Sequence, residues 1–287
     1  MRKKKKTEIV EKDKYTLGTF IIQIIMSIVA IAFFAPVLIV INYSFKTKQE
    51  LYLSNPLSLP KSLYLGNFIT AFNKLNLLTT FMNTFLYTAV SVVVLAFLCG
   101  AAAWAIARCK QKIFKFVYVY FLLGILIPYQ ALFLPIYVIG YKSGLTNTRL
   151  GIILMYVATG MPVGVFLMTS FMSTAPIELE EAAKIDGCSI YRTYFSIVMP
   201  LLKPAIATLV IMQSFQIWND FLMANLYLSD KSLKTLTVAM QALFSQQTSD
   251  YTTALAAIVI SVLPVAILFI SMQKYFIKGM TAGAVKG

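Results

Sequence analysis

Long apolar runs without charged residues dominate this sequence. Five runs lack Asp, Glu, Lys and Arg altogether, and they cover residues 15–45, 75–107, 116–141, 150–177 and 251–273. A sixth run, 204–229, is interrupted only by Asp220. Each exceeds the roughly 20 residues that a helix needs to cross the hydrocarbon core of a bilayer. Because lipid cannot satisfy backbone hydrogen bonds, the pattern predicts an all-α integral membrane protein with six transmembrane helices.

Composition and charge support a multi-pass membrane protein. Hydrophobic residues make up 59% of the chain, charged residues 13%, and the mean hydropathy is +0.77, which leaves too little polar surface for a soluble domain of this length. The net charge of +14 is unevenly distributed, with 17 of the 25 Lys and Arg residues in segments on one side of the predicted membrane. The positive-inside rule therefore predicts that both termini are cytoplasmic, and the basic charge does not indicate nucleic-acid binding.

The runs divide the chain into five segments. A basic cytoplasmic tail covers 1–15, a first transmembrane helix 16–43 and an extracytoplasmic segment 44–76. The main transmembrane domain covers 77–273, with a cytoplasmic loop at 173–203, and a cytoplasmic C-terminal tail covers 274–287. The basic start resembles a signal peptide, but its apolar run is too long, so a retained helix is expected. The chain has no histidine and three cysteines without ligand spacing, so no metal site is predicted.

The loop at 173–203 is too polar to enter lipid and predicts two short helices around a glycine. Glu178, Glu180 and Glu181 complement the positive end of a helix dipole. Gly187 can end that helix in the left-handed conformation, and Ser189 can cap the next one. Helices this short need a partner surface. A membrane surface is the alternative, but the acidic side chains would then meet an anionic leaflet, so docking on a protein is favoured.

Specific motifs in this loop resemble a known family. The order Glu-Ala-Ala, three residues, Gly, nine residues, Ile-x-Met-Pro resembles the EAA loop of bacterial ABC importer permeases. The residues that carry it are Glu181, Ala182, Ala183, Asp186, Gly187, Ile197 and Pro200. Met199 stands where that family usually has Leu. The segment 213–222 resembles the Trp-Asn-Asp/Glu-Phe segment of the carbohydrate-uptake group, and the ending 276–287 resembles the tail of its MalG-type subunits.

The resemblance implies a type I ABC importer permease fold in a bacterial cell membrane. It also implies import of sugars, with oligosaccharides as the expected class, and four kinds of partner: a homologous MalF-type permease, two ATPase subunits, an extracytoplasmic solute-binding protein and the sugar itself. The EAA loop is implied to couple to the ATPases, and the tail residues Lys278, Gly279, Thr281 and Gly283 to contact them. The sequence has no phosphate-binding Gly-x-x-x-x-Gly-Lys motif. ATP and Mg are therefore expected on the partners, with no cofactor and no catalytic residue in this chain.

A solute pathway is expected near the fifth span. Its candidates combine amides, an aromatic ring and the only carboxylate of a predicted span, and they are Gln213, Gln216, Trp218, Asn219 and Asp220. An ionisable group at membrane depth is a functional candidate. The alternative for Asp220 is a capping or pairing role at the outer end of the span. Two other functional classes fit less well, because a secondary transporter needs ion or proton sites and an enzyme needs a nucleophile or an acid–base pair.

Overall fold

The computed structural model of the chain describes residues 16–55, 57–244 and 250–284, and within these it is helical without strands. The predicted basic tail at 1–15 lies outside the described residues. The first half contains α1 (Leu17–Ser44), α2 (Lys48–Leu53), α3 (Gly66–Lys74), α4 (Leu77–Arg108), α5 (Lys112–Leu126) and α6 (Phe133–Lys142). The second half contains α7 (Arg149–Met172), α8 (Glu178–Ile185), α9 (Ile190–Thr193), α10 (Met199–Leu201), α11 (Lys203–Trp218), α12 (Leu222–Tyr227), α13 (Leu236–Phe244) and α14 (Tyr251–Ala284).

The number of spans depends on how two bent helix pairs are counted. Among the described residues, α1, α4, α7 and α14 are each long and apolar enough to cross a membrane alone. The count reaches six if the pair formed by α5 and the segment Tyr129–Lys142, bent by 100°, and the pair Ile190–Leu201 with α11, bent by 74°, are each one span. The predicted third span over 116–141 is not one straight helix, because α5 stops before Pro128, which has no N–H to continue the ladder.

The core lies where α4, α7, α11 and α14 pack together. Small residues allow the close approach of α4 and α7, as is common between membrane helices. A Cβ atom at Gly164 would lie 2.5 Å from the Cys99 sulfur, so only glycine fits there without displacement. Leu95 and Leu209 are fully buried in the same apolar cluster. These four helices form the frame from which the loops described below project.

α1 packs against α14 at the edge of this core, but most of its surface stays uncovered. None of its most apolar window is buried, and its apolar side chains face outward. Near its end the chain turns around Lys46, whose ammonium group is fully buried. Lys46 Nζ donates to Ser54 Oγ at 3.1 Å and Ser58 Oγ at 3.2 Å, and lies 4.9 Å from the centre of the Tyr43 ring. The segment between α1 and α4 is therefore folded around a buried charge.

An ion cluster ties this segment to the start of α14. The Asp250 carboxylate lies 3.1 Å from Lys48 Nζ and 3.4 Å from Lys74 Nζ, and its side chain is only 7% exposed. Burial alone would raise the pKa of Asp250, but the hydrogen bond and charge of Lys48 together with the hydrogen bonds of Thr253 and Lys74 hold the pKa below its usual value. Asp250 therefore stays ionised and joins α2, α3 and α14.

Candidate functional site

The loop between α7 and α11 forms a compact unit, which we call the coupling segment (residues 173–203). It contains α8, α9, a π-helical turn at Tyr194–Val198 and α10. The predicted left-handed turn is confirmed, since Gly187 has φ +73°. Two bonds close α8 in a Schellman motif: the Cys188 N–H donates to the Ala183 carbonyl at 2.9 Å and the Gly187 N–H to the Lys184 carbonyl at 3.2 Å. The turn thus fixes the angle between α8 and α9.

The start of α9 and the π turn also follow from local chemistry. The predicted cap at Ser189 is confirmed, because its side chain accepts a hydrogen bond from the Arg192 N–H. In the π turn the Met199 N–H donates to the Tyr194 carbonyl, five residues back. Pro200 follows directly and has no N–H for the α-helical ladder. Pro200 is exposed and Ile197 half-buried, so only part of the Ile-x-Met-Pro sequence faces outward.

The coupling segment presents an apolar surface with acidic residues beside it. Its exposed large apolar side chains are Ile177, Leu179, Ile185, Ile190, Tyr191 and Phe195. Ile185 is 86% exposed, and Glu181, Ala182 and Asp186 are exposed as well. Exposed apolar patches of this kind mark interaction sites. Ala183, the third residue of the Glu-Ala-Ala sequence, is 4% exposed and packs within its own chain.

A contact that the sequence did not indicate fastens α8 to α4. The two oxygens of Glu180 accept hydrogen bonds from Trp104 Nε1 at 2.7 Å and from Arg108 Nε at 2.9 Å. The sequence suggested only a dipole role for Glu180. The partners lie 72 and 76 residues earlier in the chain, so no local pattern could have paired them with it.

The candidate pathway residues at the end of α11 do not form one cluster. Gln213 is buried beside Gly160, where an added Cβ would lie 3.0 Å from its amide oxygen. Trp218 is buried, and its indole N–H donates to the Ser261 carbonyl at 3.1 Å. Gln216 and Asn219 are exposed. The tryptophan therefore joins α11 to α14, and two of the five candidates present polar side chains at the surface.

Asp220 occupies the break between α11 and α12. The run 204–229, from which the fifth span is predicted over about 204–228, is not a single helix, because α11 ends at Trp218. Asp220 Oδ2 accepts hydrogen bonds from Tyr156 Oη at 2.9 Å and the Ala224 N–H at 3.0 Å, while Oδ1 accepts from the Met223 N–H at 3.4 Å. In this conformation its carboxylate caps α12 and holds it against α7, as the capping alternative expected.

The C-terminal tail continues the last helix. Lys278, Gly279, Thr281 and Gly283 all lie within α14, which extends to Ala284. The small residues Gly279, Ala282 and Gly283 predict that this segment forms no stable helix, and the structure differs from that prediction. Residues 285–287 lie outside the described part. Within the described residues no group of His, Cys, Asp or Glu is arranged to hold a metal ion.

Comparison with known proteins places the chain among transport proteins. Residues 93–282 match the family described as binding-protein-dependent transport system inner membrane component. The chain belongs to this family. The match begins within α4 and includes the coupling segment and the candidate pathway residues, so the site described above lies in the shared region of the permease.

Relatives and solved structures agree with that assignment. The permease is 37% identical to the probable starch degradation products transport system permease protein AmyC of Thermoanaerobacterium thermosulfurigenes, over 90% of this chain and 94% of the relative. It is also 37% identical to the melibiose/raffinose/stachyose import permease protein MelC of Bacillus subtilis, over 93% and 96%. The crystal structure of a bacterial ABC transporter that imports the acidic polysaccharide alginate has the same fold, with a TM-score of 0.81, 21% identity and coverage of 91% and 99%.

These findings establish the type of protein. The family is an inner membrane component and the relatives are transport permease subunits, so the permease is a multi-pass membrane transport subunit and not an enzyme. The predicted helical fold and the assignment to ABC importer permeases of the carbohydrate-uptake group are confirmed.

Proposed function

We propose that the permease is one half of the translocation pathway of an ATP-driven, binding-protein-dependent importer of oligosaccharides. A homologous MalF-type permease supplies the other half, two ATPase subunits bind ATP and Mg beneath it, and an extracytoplasmic binding protein delivers the sugar. The names of the relatives, which cover starch degradation products, melibiose, raffinose and stachyose, support this substrate class. A structure of the same fold comes from an importer of another carbohydrate polymer, alginate.

The geometry of the coupling segment carries the proposal. Its two short helices are held at a fixed angle by the Gly187 turn, and they expose Leu179, Ile185 and Tyr191 instead of burying them. A surface of this size and polarity fits a cleft on a soluble protein, since isolated short helices require tertiary packing. In the proposed mechanism, closure of the ATP-bound ATPase pair moves α8 and α9, and the motion passes through α10 into α11.

Fewer residues of this chain are proposed to contact the solute than the sequence predicts. Gln216 and Asn219 are exposed. Asn219 Nδ2 donates to the Phe215 carbonyl at 2.8 Å, so Asn219 offers its amide oxygen and Gln216 its whole amide to sugar hydroxyls in the assembled pathway. Trp218 and Asp220 fix the end of α11 and the start of α12, and Gln213 is buried beside Gly160 of α7. We propose direct sugar contact for the first two and a supporting role for the other three.

The decisive experiment combines purification with transport. The permease is co-expressed with its partners, and ATPase retention on the tagged permease is measured together with uptake of radiolabelled raffinose and maltotriose into proteoliposomes. Ile185→Ser should release the ATPase and abolish uptake, because it removes the most exposed apolar contact of α8. Gln111→Ser is the matched control, since it alters an exposed residue in the short loop between α4 and α5. A wild-type permease that retains no ATPase, or imports neither sugar, would refute the proposed function.

Orientation in the membrane is a separate prediction. The distribution of Lys and Arg predicts that the segment around α2 is extracytoplasmic and that the coupling segment is cytoplasmic. In a variant without native cysteines, Leu59→Cys should react with a membrane-impermeant maleimide in intact cells, because Leu59 is 82% exposed. Ile185→Cys should react only after permeabilisation. The opposite labelling pattern would contradict the predicted orientation.

The tail gives a third prediction. Deleting residues 281–287 should leave membrane insertion and pairing intact, because the core contacts of α14 lie in its first half, around Ala254 and Ala257. We expect binding-protein-stimulated ATP hydrolysis to fall, since Lys278, Gly279, Thr281 and Gly283 are proposed to reach the ATPases. The measurement compares hydrolysis by truncated and full-length complexes. Equal stimulation would show that the tail makes no functional contact.

A further inference from the structure

The coupling segment is attached to the membrane helices both by its covalent connections and by side-chain contacts. Its covalent connections run from α7 through Ser173 and into α11 through Lys203. A third connection joins α8 to α4, which is not its neighbour in sequence. This connection is made by Glu180 of α8 with Trp104 and Arg108 of α4, and we call these three residues the α8–α4 link.

The geometry of the α8–α4 link is that of a specific, largely desolvated contact. Arg108 Nη2 lies 2.8 Å from Glu180 Oε1, and its Nε donates to the same oxygen at 2.9 Å. Glu180 Oε2 accepts from the Trp104 indole N–H at 2.7 Å. The side chains of Arg108 and Glu180 are 17% and 11% exposed, so water screens the pair weakly. Arg108 Nη2 also donates to the Ala175 carbonyl at 2.9 Å, which fixes the chain that leads into α8.

One face of α4 is shaped to receive this segment. Trp104 stacks on Tyr194 of the π turn, with ring centres 5.8 Å apart and planes at 24°. The Tyr194 hydroxyl donates to the Phe97 carbonyl at 2.8 Å. It also lies 2.8 Å from the position that a Cβ of Gly100 would take, so a larger residue there would push it away. Positions 97, 100, 104 and 108 repeat every three or four residues and so share one face of the helix.

We propose that Glu180, Trp104 and Arg108 act as positioning residues that make α8 and the cytoplasmic end of α4 move as one body, so that displacement of the coupling segment by an ATPase is transmitted directly into α4. The inference rests on the proposed function. Its consequence is that α4, the helix that packs against both α7 and α11, receives the motion at its own end. A pair of bonds from one carboxylate to a planar guanidinium and an indole resists rotation as well as separation.

Label distances test the α8–α4 link directly. Spin labels are placed on Cys109, an exposed residue at the end of α4, and on Lys184→Cys in the exposed last turn of α8, with Cys99 and Cys188 replaced. In the complete importer we expect the same inter-label distance in the nucleotide-free and the ATP/vanadate-trapped states. In Glu180→Gln and in Trp104→Phe, the distribution of inter-label distances in the trapped state should broaden, or its mean should shift by about one helical turn, ~5 Å.

Transport measurements separate a positioning role from a purely structural one. Glu180→Gln should keep ATPase retention at the wild-type level but lower raffinose uptake per ATP hydrolysed about tenfold. Glu178→Gln is the matched control, because Glu178 lies exposed in the same first turn and should behave as wild type. Two results would contradict the proposed role of the α8–α4 link. One is a change of ~5 Å in the inter-label distance of the wild-type importer between its nucleotide-free and trapped states, and the other is wild-type uptake per ATP hydrolysed in Glu180→Gln. Failure of the wild-type permease to retain an ATPase instead refutes the proposed function.

Discussion

Gly187→Val is expected to disconnect the permease from its ATPases while leaving the membrane helices folded. Gly187 has φ +73°, and a residue with a Cβ pays about 1–2 kcal/mol in the left-handed region, with a β-branched residue at the upper end. At about 2 kcal/mol, the docking-competent turn would be populated about 30-fold less. We therefore expect ATPase retention and sugar uptake to fall together. The measurement is ATPase binding to the detergent-solubilised permease pair across a range of ATPase concentrations.

The structure offers a clean control for this substitution. No atom lies within 4 Å of the Cβ position at Gly187, so a side chain there meets no steric obstacle. Only backbone conformation distinguishes the substitutions. Gly187→Asn should therefore retain most of the binding, because Asn adopts the left-handed conformation more readily than other residues. If Asn and Val weaken ATPase binding equally, the turn conformation is not what docking requires.

Asp220→Ala is expected to destabilise the outer part of the permease and not merely to weaken sugar binding. The carboxylate accepts hydrogen bonds from Tyr156 and from the N–H groups of Met223 and Ala224. Losing a helix cap and a charged hydrogen bond costs about 2–3 kcal/mol. We expect faster thermal inactivation of the purified complex, with the sugar concentration for half-maximal uptake unchanged in the surviving fraction.

Tyr156→Phe distinguishes a structural role of Asp220 from direct contact with the sugar. It removes the hydroxyl that donates to the carboxylate but leaves the carboxylate itself in place. Under the structural interpretation, Tyr156→Phe should show part of the thermal instability of Asp220→Ala. Asn219→Ala, which truncates an exposed amide, serves as the comparison for sugar contact. A raised half-maximal sugar concentration in Asp220→Ala, without any loss of thermal stability, would favour direct contact.

The sequence predicted the helical membrane fold well because hydropathy and charge act locally. A run without charge must satisfy its backbone within lipid, which leaves little choice but a helix. The same reasoning missed the break after Trp218, since apolar residues continue through it. Hydropathy indicates whether a segment lies in lipid, but it does not indicate where the helix axis bends. Pro128 carried a signal for a break, but a proline alone does not distinguish a kink from a 100° bend.

The site was predictable only where its chemistry is local. The conformation of Gly187 and the cap at Ser189 follow from residues within a few positions. The role of Trp218 does not follow from sequence, because the same indole suits a sugar face and a helix interface, and only the tertiary contact with Ser261 shows the second use. For Glu180 the sequence indicates only an interaction with the helix dipole. Its actual partners come from a distant helix, and no spacing in one sequence reveals them.

The buried ammonium of Lys46 changes the electrostatic picture of the segment between α1 and α4. This segment carries four lysines, but Lys46 is sealed from solvent and Lys48 and Lys74 share the Asp250 carboxylate. Lys61 is then the exposed unpaired lysine, with Glu50 close to it through a bond to its backbone N–H. Because Asp250 serves both Lys48 and Lys74 and Glu50 lies beside Lys61, this face carries less net positive charge than its four lysines suggest. An approaching protein or ion therefore meets a weaker positive potential than the count of lysines indicates.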